Sequence, residues 1–126
     1  ADLPRKISAT RRLIQIDTTG ARSLSLVKEI ISTDTTTQSQ QIAEELISFE
    51  FPYSTRIGAL DLLLEHVEDG DYWGSKIVEL SSDFDPRIRS KVLEGLKFLS
   101  ETDAENIAEA VLLSEFDLRV LNGESD

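Results

Sequence analysis

The densest run of groups that could do chemistry is Glu65-His66-Val67-Glu68-Asp69-Gly70-Asp71, which holds the only histidine of the 126-residue chain. An imidazole flanked by carboxylates is a donor set for a divalent metal, and His66 is also the one side chain that could serve as base to a serine nucleophile. Neither chemistry has its spacing here. The chain contains no HExxH or calcium-loop pattern, no glycine-flanked serine elbow and no glycine-rich phosphate loop. Adjacent residues of a helix point in different directions, so the run reads as a solvated helix end with His66 near the negative pole of the dipole. Carboxylate pairs can be drawn anywhere among 24 acids and so say nothing about acid–base catalysis. The absence of cysteine excludes disulfides, thiolate metal sites and cysteine nucleophiles. The expectation is a chain with no catalytic, cofactor-binding or metal-binding residues, and not an enzyme.

A second candidate is the basic cluster Arg5, Lys6, Arg11 and Arg12, which could grip phosphate or an acidic partner. Residues 1–33 hold six basic and three acidic side chains, a net of +3, whereas the other 93 hold seven basic and 21 acidic, a net of −14. A field of that sign repels phosphate backbones and attracts basic partners. A basic protein partner is therefore expected and nucleic acid is not, and the cluster reads as a solvated first helix or a seam to preceding repeats. Tyr53, Tyr72 and Trp73 stand at helix starts, where aromatic residues serve as interface anchors or as core; Trp73 is expected in the core.

With 40% hydrophobic and 29% charged residues the composition is that of a folded protein. No apolar run approaches the ~18 residues of a membrane span, and ADLPRKISATRR lacks the apolar middle of a signal peptide. A soluble, cytoplasmic protein is expected. The chain has no methionine, so either an initiator was removed or this is a piece of a longer chain.

The elements that must position these residues all show helical period. Apolar positions predict helices over Leu3–Ile16 (Ile7, Leu13, Ile14, Ile16), Ala21–Ser32 (Leu24, Leu26, Val27, Ile30, Ile31) and Gln38–Glu50 (Ile42, Leu46, Ile47, Phe49). Further helices are predicted over Tyr53–Glu68, Tyr72–Ser82, Pro86–Ser100 and Ala104–Ser114. Tyr53–Glu68 is apolar over more than one face and should be the most buried. Asp34 or a nearby threonine should cap the third helix, and Gly70 should close the fourth in the left-handed conformation. Pro86 suits the first turn of its helix, whose stripe of Ile88, Val92, Leu96 and Leu99 should be buried. The residues after Phe116 should fray. The class is all-α, about seven helices in antiparallel succession.

A shift of 33 superposes the chain on itself. Asp17, Glu50 and Asp83 coincide; so do Leu26, Ala59 and Val92, then Val27, Leu60 and Leu93, then Ile30, Leu63 and Leu96. Arg56 matches Arg89, with Ser23 at that place in the first copy. The segments 40–44, 75–79 and 105–109 echo one another upstream, and Glu115-Phe-Asp-Leu-Arg-Val120 matches Asp83–Ile88 as the start of a fourth copy. The unit is two helices, and such units bury their apolar faces only by stacking.

The stretch Asp83-Phe-Asp-Pro-Arg-Ile-Arg89, followed by Val92, Leu93 and Leu96, resembles the second-helix signature of short HEAT repeats. Tyr53 and Thr55 depart from that pattern in the preceding copy, and the first copy matches it poorly. The resemblance implies a right-handed α-α superhelix, an armadillo-like solenoid spanning residues 1–126 as a single HEAT-like domain or part of a longer one. It also implies that Arg56 and Arg89 reach the acid of the adjacent repeat, a structural role. The function implied is a protein-interaction or scaffold module; a component of a bilin-lyase-like enzyme of phycobilisomes, or a small acidic immunity or inhibitor protein, are the alternatives.

Overall fold

The computed structural model describes residues 3–121, with side chains through Glu115, and every element among them is helical. The helices are α1 (Leu3–Ile16), α2 (Ala21–Thr33), α3 (Thr37–Glu45), α4 (Tyr53–His66), α5 (Gly70–Leu80), α6 (Pro86–Val92) and α7 (Glu101–Leu121), with a 3-10 segment over Leu93–Phe98. Among the described residues no helix is long and apolar enough to cross a membrane. The chain divides into two compact units, Ala1–Val67 and Glu68–Asp126.

In the first unit α1 packs on α2 and α3, α2 on α3 and α4, and α3 on α4. The first helices of the two pairs therefore touch each other, as do the second helices. Their shared core is aliphatic: Val27, Ile31, Ile42, Ala43, Leu46, Leu60 and Leu63 are sealed from solvent. α4 buries Leu62 and Leu64 as well and is, as its sequence predicts, enclosed on several faces.

The linkers are held by specific hydrogen bonds. Asp17 accepts from the backbone N–H of Ser23 at 3.0 Å and from its hydroxyl at 3.1 Å. Gly20 precedes α2 with φ of 74°, a conformation that costs other residues strain. A Cβ there would also lie 2.8 Å from Thr55 Cγ2 and 2.9 Å from a Phe51 ring carbon. Thr55 in turn donates its hydroxyl to the Thr19 carbonyl at 2.6 Å, tying the first linker to the start of α4. The cap of α3 is Thr36, in a reciprocal capping box with Ser39.

α3 ends at Glu45, not at Glu50. The chain tightens there, with Leu46 N–H on Ala43 O and Ile47 N–H on Glu44 O. Tighter winding turns Leu46 and Ile47 both inward, and Phe49 is left 74% exposed rather than in the stripe. Ile16, at 78%, is likewise outside the core.

In the second unit α5 packs on α6, the 3-10 segment and α7. Asp69 caps α5 through the Asp71 N–H at 2.9 Å. Gly70 is thus the first residue of α5 and not a left-handed helix terminator; Gly20 alone among the described residues has positive φ. Trp73 is fully buried, as expected, with Tyr72 edge-on at 5.2 Å and Phe98 stacked at 6.0 Å.

The predicted helix Pro86–Ser100 is instead α6 for seven residues followed by the 3-10 segment. Gly95 sits directly against the indole: a Cβ would be 2.8 Å from Trp73 Cε3 and 3.0 Å from Cδ2. Ile88 and Val92 are sealed as expected, but Leu96 and Leu99, carried by the tighter winding, are only half-buried. The cap of α6 is Asp85, whose carboxylate accepts from Arg87 N–H at 2.9 Å; Asp83 accepts from Asp85 N–H.

α7 starts at Glu101 and continues through Leu121. Residues 115–120 are therefore helical continuation, not the linker that starts a fourth copy. Leu118 stands where the third copy has Pro86, and without proline nothing disfavours helix at the preceding residue. Of the residues after Phe116 expected to fray, 117–121 are helical and 122–126 lie outside the described residues.

Candidate functional site

His66 is the last residue of α4, and its Nε2 lies 4.0 Å from Glu65 Oε2, with the imidazole about one-fifth exposed. Glu68, Asp69 and Asp71 belong to the next unit, where Asp69 is occupied as a cap. Among the described residues no three histidine or carboxylate side chains converge into a metal-binding group.

The four basic residues of α1 do not act together. Arg11 turns to α3, where its guanidinium donates to Gln41 Oε1 at 3.3 Å and lies 3.9 Å from Glu45. Lys6 borders a 220 Å³ groove between α1 and α2, floored by Ala9, Leu26 and Ile30. Arg5 and Arg12, seven residues apart on one face, flank a broad depression of 420 Å³ lined by Pro4, Ser8 and Ala9. The depression is shallow and open, and the two guanidinium groups at its rim make it positive.

The residue six places after each repeat acid is turned inward in all three copies. Ser23, sealed from solvent, bonds the Asp17 carboxylate. This holds the Asp17 carboxyl below its ordinary pKa of 3.8, chiefly through the Ser23 N–H and against a smaller opposing effect of burial. Arg56, 3% exposed, donates Nε to the Ile47 carbonyl at 2.6 Å, an oxygen that the early end of α3 removes from the helical ladder. Arg89 donates Nη1 to the Asp83 carbonyl at 2.8 Å and Nε to Glu115 at 2.5 Å. Glu115 aligns in sequence with Asp83 but lies inside α7, so this bond ties α6 to α7. These groups tie linkers and neighbouring helices together, through backbone carbonyls at Ile47 and Asp83 and through the carboxylates of Asp17 and Glu115.

The acidic candidates lie on α7. Val111 faces the core, whereas Glu101, Glu105 and Glu109 are exposed at spacings of four on the opposite side. Leu112 and Leu113, 70% and 61% exposed, continue the same face. Sequence periodicity assigns Leu112 to the buried stripe; the structure places it outside, and the Glu-every-four spacing was the signal that marked this side as solvated. Elsewhere in the second unit the cations are taken up locally: Lys76 by Glu79, Arg87 by Asp85, Arg89 by Glu115 and Lys91 by Glu94.

No family model, curated protein or solved structure matches this chain.

Proposed function

We propose that the chain is a protein-interaction module, a right-handed solenoid of HEAT-like two-helix repeats whose partner is a basic protein segment bound without catalysis. The observation that carries this reading is the outer face of α7, a row of Glu101, Glu105 and Glu109 ending in exposed Leu112 and Leu113. The second unit has six basic against fifteen acidic residues, a net of −9, and its ion pairs occupy four of those cations. A helix with cations every fourth residue and a terminal apolar pair complements that row in both charge and hydrophobicity. The packing of α1 on α3 and of α2 on α4, one helix pair against the next, supports the solenoid.

The test is fluorescence anisotropy of a labelled Lys/Leu amphipathic peptide against a Glu/Leu counterpart. The basic peptide should bind saturably and weaken with salt, and Glu105→Lys with Glu109→Lys should lower its affinity at least about tenfold. Equal binding of the two peptides, or indifference to both substitutions, overturns the reading.

A further inference from the structure

The second face that could meet α7 is carried by the same chain. α1 exposes Arg5, Ala9, Arg12 and Ile16 along one side, at offsets of zero, four, seven and eleven residues. α7 exposes Glu101, Glu105, Glu109 and Leu112 at offsets of zero, four, eight and eleven. Laid parallel and in register, the two rows oppose Arg5 to Glu101, Arg12 to Glu109 and Ile16 to Leu112. The one-residue offset at Arg12 amounts to about 1.5 Å of helix rise, within the reach of either long side chain. Glu105 then falls opposite Ala9, in the floor of the depression between Arg5 and Arg12. Laid antiparallel the match is poorer: Arg12 still meets Glu105, but Arg5 meets Leu112 and Ile16 meets Glu101.

We infer that the occupant of the α7 face is a second copy of this chain, docking its α1 head-to-tail and parallel. The inference rests on the reading of α7 as an acidic docking face and names its partner. Charge over the whole chain favours the same pairing, since residues 1–33 carry +3 and the second unit −9, so that encounter is steered. The contact is heterologous: each copy keeps one used and one open face, and assembly continues until a ring closes or the copies run out. A single helix pair buries less than the roughly 1,000 Å² of a stable interface, so the association is weak, concentration-dependent and sensitive to salt.

Sedimentation velocity over a concentration series tests it. The wild-type chain should show a weight-average sedimentation coefficient that rises with concentration at low ionic strength and stays at the monomer value at high. Two charge-reversed proteins, Arg5→Glu with Arg12→Glu and Glu105→Arg with Glu109→Arg, should each remain monomeric. Mixed together they should associate again, because one retains the α7 face and the other the α1 face. All four substituted positions are exposed, and circular dichroism checks that each variant is folded. A wild-type chain that stays monomeric, or a mixture that stays monomeric, overturns the inference. If the Lys/Leu peptide still binds α7 in that case, the docking reading stands and only the second copy is excluded; if it does not, both fall.

Discussion

The two units meet the same repeat period with different cores. The first surrounds α4 with aliphatic side chains from two complete helix pairs, and every second-helix position of the repeat except Leu26 is sealed. The second is built around one indole, and its second helix gives up α geometry after seven residues so that Gly95 can pass beneath Trp73. Gly95 occupies the place of Leu62 in the preceding copy. A large ring on α5 and a missing side chain on the partner helix are thus complementary halves of one contact. Repeat period sets where helices start and which residues face inward; it leaves open how the volume between them is filled.

The largest effect that would break this comparison is at that contact. Trp73→Ala should cost about 3–5 kcal/mol, read as a lowered denaturation midpoint, with loss of the second unit's cooperativity. Gly95→Ala is the sharper probe. Helix propensity alone would make it stabilising by about 1 kcal/mol, whereas overpacking against a buried ring should make it destabilising by about 1–3 kcal/mol. A stabilised Gly95→Ala protein would show that the 3-10 winding has some other cause.

Next comes a pair at one repeat position. Leu63 is sealed and Leu96 half-buried, so Leu63→Ala should cost about 2–5 kcal/mol and Leu96→Ala about 1 kcal/mol. The stripe reading of the sequence would make the two alike, at about 2–5 kcal/mol each. Equal measured losses would mean that the two second helices are packed equally well, contrary to their burial.

These cases show what could be read before the structure. Helical class and, to within two residues, the boundaries of α1, α2, α4 and α5 follow from apolar period over 11–14 residues. That Ser23, Arg56 and Arg89 share one place was legible from repeat alignment; the structural role of the two arginines came from the family resemblance, and the inward turn of Ser23 from neither. The Trp73–Gly95 contact was not, because a glycine inside a helical pattern signals only a local cost, and its partner stands 22 positions away. Nor was the length of α7, since Glu115-Phe116-Asp117 imitates Asp83-Phe84-Asp85 and only Leu118 in place of Pro86 separates helix from linker. For the candidate surface, sequence reasoning found the cations of α1 as one cluster; only packing shows that Arg11 is drawn to α3 while Arg5 and Arg12 share a face.

The position six residues after the repeat acid contrasts the units again, on a smaller scale. Arg89 joins α6 to α7 through Glu115 with both side chains partly buried. Arg89→Ala should cost about 1–3 kcal/mol, and Arg89→Lys less, since an ammonium keeps the charge but cannot serve Asp83 O and Glu115 with a planar fork. Equal losses for both variants would point to the fork rather than the charge.

Ser23 makes no such bridge; its partner Asp17 lies in its own linker, and the smallest effect is expected there. The Asp17 carboxyl is held below 3.8 in the folded chain, first by the Ser23 N–H. A lowered folded pKa means that the unfolded state binds the proton more readily, so the contribution is complete above the unfolded value and disappears as pH falls through the folded one. Other carboxylates titrate in the same range, so the informative quantity is the difference in unfolding free energy between wild type and Asp17→Asn. That difference should be constant near neutral pH, shrink below pH 3.8 and vanish or reverse in stronger acid, because asparagine keeps an acceptor for Ser23 without titrating. A difference that does not change with pH would show that Ser23 holds the linker through the acceptor alone, and that the charge of the repeat acid matters in neither unit's linker as it does at Glu115.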